Sequence, residues 1–351
     1  MPHAPYQITY ADNSFHIAFV WVAAALLDYG IGDPWHWLHP VQVMGRAIQR
    51  YSEAIFALKL SPRAEQMAGV GLALGLVAGS AAIGWGIHQA ASFIHPILTL
   101  AADSIMLASC LAGRSLRDAA NDVLLPLMQG DLPAARDRLS RYVGRDTAQL
   151  SEPEILRAVL ETVTENATDG VTAPLFYGLL GMATPLGGMP LALGYKAAST
   201  LDSMVGYKSA PYTHLGWCSA KLDDALTWVP CRLTVVTVGL LSGQLRHVLQ
   251  CCRQDAVRDP SPNAGWSECA YAAALGVQMG GLNYYRGLPK AKPLLGKALS
   301  PITQDIIRQA LRLTRRSVLL WLAVALGMLI TGALITGTLV TDTVGVAKLA
   351  G

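Results

Sequence analysis

Charge is scarce in this chain. Asp, Glu, Lys and Arg make up 15% of its 351 residues and hydrophobic residues 52%, against roughly 25% charged in an average soluble domain, so there is too little charge to coat a large water-soluble globule. The formal net charge of +3 is too small to draw a nucleic-acid partner. No GxxxxGK[ST] phosphate loop, GxGxxG helix start or nucleophile elbow occurs, so nucleotide use cannot be inferred from a standard phosphate cradle. The six cysteines, Cys110, Cys218, Cys231, Cys251, Cys252 and Cys269, show no CxxC or Cys/His metal spacing, and reduced, non-catalytic thiols are expected. Lys and Arg are absent from Met1 to His16, and no small-residue cleavage site follows the first apolar run, so no cleavable leader is expected.

Long apolar runs are plentiful. Ala68 to Ile87 and Ser317 to Thr341 contain no Lys, Arg, Asp or Glu over the roughly 20 residues a bilayer demands. Shorter or interrupted candidates are Ile17 to Leu27, Ile97 to Ala112, which includes Asp103, Val171 to Leu193, broken by Pro174, Pro185 and Pro190, and Ala225 to Gly243, entered by Pro230 and Arg232. The fold class expected is all-α: a polytopic integral membrane protein forming one domain, with cytoplasm-facing helical segments. Gln244 to Arg316 holds 11 Lys or Arg against 4 acids, an excess that belongs in the cytoplasm. Arg46, Arg50, Lys59 and Arg63 put the 44–67 stretch on the same side, while the N-terminus and the tail after Thr341 face outward. If the two interrupted segments cross fully, Gly194 to Asp224 lies outside. If they dip and return, it joins the cytoplasmic face beside Gly113 to Gly170, and the prolines and glycines favour that path.

The polar clusters sit at the edges of these runs. An ionisable group at helix-centre depth costs about 2.5–3.5 kcal/mol, so a chain that keeps several there uses them. Ser151 and Glu154 form a capping-box pattern with Pro153 in the first turn, opening a helix whose apolar face is Ile155, Val159, Leu160 and Val163. Glu161, Glu165 and Asp169 fall at i, i+4 and i+8, so a continuous helix stacks three carboxylates on one face, which calls for a cation or a basic partner. Asp28 and Asp33, in a Gly/Pro-rich turn near Arg46, suit a Mg²⁺-phosphate unit. His36 and His39 lack a third ligand with metal spacing. These residues describe a membrane protein with an acidic, cytoplasm-facing or interfacial site.

An ordered series of motifs goes further. GDPWHWLHPVQVMGRAI, AGRSLRDAA, ETVTENATDGVTAPLFYGLL, YKAASTLDSMVGYK, LGWCSAKLDDALTWVPCRLT and DPSPNAGWSECAYAAALGVQMGG run in order between Asp28 and Arg316, and this series resembles the cobalamin-biosynthesis CobD/CbiB family, adenosylcobinamide-phosphate synthase. The chain departs from the expected pattern at Ser199, Thr227 and Ser267. The resemblance implies an inner-membrane ligase with its active site facing the cytoplasm, joining adenosylcobyric acid to aminopropanol or its phosphate ester. ATP and Mg²⁺ would activate the corrinoid carboxylate as an acyl phosphate. On that reading Glu165 and Asp169, then Asp202, hold Mg²⁺-nucleotide, with Asp28 and Asp33 contributing from the facing turn. Lys196, Lys208 and Arg46 neutralise phosphate or carboxylate, Asp223 or Asp224 takes the ammonium proton, and Asn166 and Tyr207 orient substrate. The turn at Ser261 to Gly265, with Asn263 and the flanking Arg258, forms a phosphate nest. Contacts with other membrane-bound late enzymes of the pathway, and a homo-oligomer, fit the same picture. Two alternatives stand beside it: an AmpE-like regulatory protein, and a corrinoid or amine transporter.

Overall fold

The computed structural model describes residues 10–32 and 39–349, with side chains over 16–32 and 39–332. The helices are α1 (Tyr10–Gly30), α2 (Pro40–Ala57), α3 (Pro62–Ile94), α4 (Pro96–Ala108), α5 (Gly113–Met128), α6 (Leu132–Ser140), α7 (Glu152–Asn166), α8 (Ala173–Met182), α9 (Gly188–Val205), α10 (Trp217–Leu241), α11 (Leu245–Asp255), α12 (Ala264–Leu275) and α13 (Gln304–Leu349). Between α12 and α13 lies an antiparallel hairpin, β1 (Gln278–Tyr285) and β2 (Leu288–Gly296). The helical membrane class stands, and the hairpin adds to it an element that the hydropathy pattern did not show.

Two bodies of packing organise the chain. A polar lobe of α5, α6, α7, α11, α12, the hairpin and the start of α13 closes around Leu124, Leu139, Leu160, Cys252, Tyr271 and Met279. A membrane lobe packs α1, α4, α8, α9 and α13 around Trp21, Leu107, Leu175, Leu193 and Leu322, and α2 and α3 close against α9 through Ile48, Leu72 and Leu201. By length and composition four stretches can cross a bilayer, Pro62–Ile94, Pro96–Met128, Trp217–Leu241 and Gln304–Gly332, and His16–Gly30 is a shorter apolar helix. Their outward residues are large and apolar, with Phe93 89% and Met328 65% exposed, as a lipid-facing surface requires.

The interrupted run at 171–193 folds into a tight helical hairpin, α8 continuing from α7 through the π-helical residues 167–172. The chain turns at 183–187 and α9 packs back along α8. The approach is tight enough to need glycine: a Cβ on Gly181 would lie 2.4 Å from the Gly187 carbonyl oxygen, and one on Gly188 2.7 Å from that of Gly178. Gly181→Ala is therefore expected to lower stability by about 1–3 kcal/mol, read as a fall in the thermal midpoint in detergent. α10 is long and apolar, yet Asp223 near its start faces the acidic residues of the polar lobe, while Val235 and Val238 near its end sit in that lobe's core.

Candidate functional site

The helical hairpin of α8 and α9 sets the site's height. Asp169 precedes Met182 by 13 residues and Asp202 follows Gly188 by 14, so each stands about 20 Å from the tip along antiparallel helices and the two meet at the same level. Asp169 lies in a π-helical turn, 167–172, between α7 and α8. Such turns widen the helix by a residue and recur at functional sites. Glu161 and Glu165 precede the turn on α7, and the three carboxylates remain neighbours through it, Glu161 acting on Glu165 and Glu165 on Asp169.

Glu161 turns into the polar lobe, where its Oε2 accepts from Arg145 at 2.5 Å and its Oε1 from the Gly280 N–H at 2.9 Å. Glu165 sits between the lobes. Burial is the main force raising its pKa; Lys292 opposes this, and Asp259 and Glu161 add to it. Asp169 is held well above the usual carboxylate range by burial first, then by Asp223, Glu165 and Asp202, with Lys196 as its favourable cation. Asp202 is pushed up to about 6 by burial and by Asp224 and Glu165. Its carboxylate folds over Gly206, where a Cβ would lie 2.0 Å from Oδ1. Of the four buried carboxylate oxygens without a hydrogen-bond partner among the described residues, Glu65 Oε1 lies on α3 and the other three are Asp223 Oδ1, Asp259 Oδ2 and Glu268 Oε2, an expensive state that a bound cation or donor would relieve.

The cluster has a wall of hydroxyls and aromatic rings. Tyr195 and Tyr177 stack at 5.0 Å, the Tyr195 hydroxyl meets Thr227 Oγ1 at 2.9 Å, and Thr172 meets Thr234 at 2.6 Å. Ser267, one of the departures noted above, donates to the Thr164 carbonyl at 2.6 Å and contacts Thr168 Oγ1 at 2.8 Å. It thus satisfies the backbone where the π-turn begins, as Thr227 satisfies Tyr195.

The remaining expected residues divide. Lys196 is part-buried on α9, facing Asp169. Lys208 is exposed within reach of Asp224, whose own ion pair is with Lys221 at 4.0 Å. Arg46 is exposed on α2 next to Gly45, which faces Met204 of α9. Tyr207 is exposed with its hydroxyl on the Ser203 carbonyl, and exposed Asn166 donates to Thr162 O. Arg258 is exposed beside the 261–265 turn.

Three expectations change. Asn263 is buried and fully engaged, accepting from Arg232 at 3.0 Å and donating to the Asp224 carbonyl at 2.9 Å. The amides of Asn263 and Ala264 are taken by Ser261 Oγ and that of Ser261 by Asp259. The turn therefore splints α10 and offers no phosphate nest. Asp28 stands at the start of α5, accepting from the Arg114 N–H at 3.4 Å and lying against Gly113, a structural position rather than a metal-facing one. Asp33 and His36 lie outside the described residues. Histidine is likewise committed elsewhere: the Nδ1 atoms of His39 and His95 accept from the backbone at the starts of α2 and α4, and His88 pairs with Asp103 at 3.0 Å.

The sequence reading also passed over a second row of the site. Glu268, fully buried, pairs with Lys292 of β2 at 3.1 Å. Burial pushes Glu268 up to about 8 although Lys292 opposes the shift. Burial disfavours the ammonium of Lys292, but Glu268, Glu165 and Glu161 outweigh it and raise its pKa. The hairpin thus delivers a cation to the edge of the acidic cluster.

The CobD/CbiB family model, described as "CobD/Cbib protein", matches residues 21–314, which takes in every element of the cluster. The chain belongs to the CobD/CbiB family. It is 50% identical over 299 residues to the cobalamin biosynthesis protein CobD of Synechocystis sp., covering 85% of this chain and 87% of the relative. It is 42% identical over 297 residues to CbiB of Salmonella arizonae (84% and 91% covered) and 44% over 299 residues to CobD of Geobacter metallireducens (83% and 90%). No solved structure matches. Membership gives this CobD/CbiB chain a role in cobalamin biosynthesis.

Proposed function

We propose that this membrane enzyme forms the amide bond of adenosylcobinamide phosphate, joining the free propionate of adenosylcobyric acid to (R)-1-aminopropan-2-ol O-phosphate or to aminopropanol at the expense of ATP. The observation that carries the reading is the convergence, in a CobD/CbiB chain, of Glu165, Asp169, Asp202 and Asp223 from α7, the π-helical turn, α9 and α10. A carboxylate and an amine do not condense in water without activation. Attack of the propionate oxygen on the γ-phosphorus of ATP gives an acyl phosphate and ADP. Attack of the amine on the acyl carbon then forms the C–N bond, releases phosphate and loses one proton to a base.

The buried carboxylate oxygen of Asp223 without a partner and the repulsion among these acids fit a hard divalent cation. Asp169, Asp202 and Glu165 would hold Mg²⁺, which supplies charge neutralisation for the transferring phosphoryl group. Lys196 and the exposed cations Lys208 and Arg46 offset phosphate charge. Asp224, less buried than Asp223, can pass the ammonium proton to solvent. The cytoplasmic orientation belongs to the same proposal and rests on the basic 244–316 segment.

The test uses the detergent-purified protein with adenosylcobyric acid, aminopropanol O-phosphate and Mg-ATP, following amidated corrinoid by mass spectrometry. Product is expected from the wild type. Tight corrinoid binding with no product under any nucleotide or amine would end the ligase reading and favour transport or regulation.

A further inference from the structure

Apart from the acidic cluster, a second set of donors converges in the polar lobe, where α11, α12 and the end of β2 meet. Cys251 and Asp255 are four residues apart on α11, hence on one face, and Cys269 comes from α12. Cys251 Sγ lies 3.4 Å from Cys269 Sγ and 3.5 Å from Asp255 Oδ2, and the three donor atoms all fall within 4.8 Å of one another. Cys252 adds a third thiol against Cys269. Both cysteines of the trio are buried, whereas Asp255 reaches the surface.

We infer that Cys251, Cys269 and Asp255 bind one thiophilic divalent cation of the zinc class. Zinc takes sulfur at about 2.3 Å and carboxylate oxygen at about 2.0–2.2 Å in a tetrahedron, which places neighbouring donors roughly 3.4–3.8 Å apart. The two separations from Cys251 Sγ need adjustments of only a few tenths of an ångström, and that between Cys269 and Asp255, within 4.8 Å, closes by rotation of the part-exposed carboxylate. Packing of buried thiols alone does not call for a carboxylate among them. The Gly296 N–H donates at 3.2 Å to the same Oδ2 that faces Cys251, and this backbone bond holds the carboxylate in place. Thiolates exclude magnesium, which takes oxygen, so the site differs in kind from the acidic cluster. Binding replaces the two thiol protons, which leave to solvent. Because Gly296 ends β2 and Lys292 lies four residues earlier on it, the cation would tie α11, α12 and the root of the hairpin into one unit.

The experiment takes the full chain in detergent, stripped with a chelator, and titrates it with Zn²⁺ alone and with Co²⁺ alone. One equivalent of zinc is expected, with a sulfur-to-cobalt charge-transfer band for cobalt. Both should disappear in the Cys251→Ser/Cys269→Ser variant and persist in Cys110→Ser, whose thiol lies in the membrane lobe. Asp255→Asn keeps both thiols in place and should weaken binding by about tenfold or more, with helix content unchanged by circular dichroism. No stoichiometric zinc in the wild type, or equal binding by the double variant, would overturn the site. Neither result bears on amide formation, which is assayed separately.

Discussion

Asp169→Asn should abolish amide formation and at the same time make the protein more stable at pH 8. The first effect is expected at roughly 10²–10³-fold or more in rate, the scale seen when one charge-stabilising group leaves a preorganised site. The second follows from linkage. Burial and three acidic neighbours raise the Asp169 pKa well above its ordinary value. A carboxyl whose folded pKa is raised favours folding below its unfolded pKa of about 3.9, and that contribution is lost as pH rises through the folded value. Asparagine has the same shape and no proton to lose. Wild type and variant should therefore unfold at similar temperatures near pH 4 and diverge toward pH 8. Asp202→Asn should reach its full divergence by about pH 6, where its own carboxyl is held. Millimolar Mg²⁺ at pH 8 should raise the wild-type midpoint and narrow the gap, since a ligand that binds only the folded state stabilises it. A variant that keeps full activity, or one that is less stable at pH 8 than at pH 4 relative to wild type, would remove Asp169 from the site.

The acidic half of this site was readable because charge beside an apolar run is conspicuous. Asp169, Asp202 and Asp223 each stand at such an edge, and the motif order located them before any geometry. The π-turn was not readable: counting by fours carries Glu161, Glu165 and Asp169 up one face, and only packing around Thr164 and Ser267 makes the helix widen there. The cationic half was hidden for a different reason. Lys292 counts toward a basic segment that hydropathy reads as a topology signal, yet its partner Glu268 is fully buried. Nor does the hairpin alternate as a strand should. Gly280 and Gly281 sit at a bulge with positive φ, and Pro289 and Pro293 interrupt β2, each a feature that argues against a strand when read locally. Its turn, Arg286–Gly287, with positive φ at both residues, was the available signal. The 261–265 turn misled in the opposite sense, since a Ser-Pro-Asn-Ala-Gly sequence looks like a nest until Ser261 Oγ is seen to occupy its amides.

The hairpin that carries this hidden half is tied to α7 by Arg157, which donates to Leu282 O and Asn283 Oδ1, and by one buried ion pair, whose removal should be strongly damaging. Glu161 is 1% exposed, and its two oxygens hold Arg145 and the Gly280 N–H. Arg145 also donates to Asn283 of β1 at 3.0 Å, so the pair joins α7 to the hairpin that carries Lys292. Glu161→Ala leaves the buried Arg145 guanidinium without its counter-charge and the Gly280 amide without its acceptor, and breaking such a pair costs about 3–5 kcal/mol. The hairpin should then loosen from α7, exposing the Arg286–Gly287 turn to limited trypsin digestion and lowering activity through misplacement of Lys292. Arg145→Met/Glu161→Met removes both charges together and should recover much of the stability. It should not recover the activity, because Gly280 still lacks its acceptor and the hairpin one of its anchors. A Glu161→Ala protein within about 1 kcal/mol of wild type, with an unchanged digestion pattern, would mean that the hairpin is held by Arg157 and its apolar contacts to α12 and not by this pair.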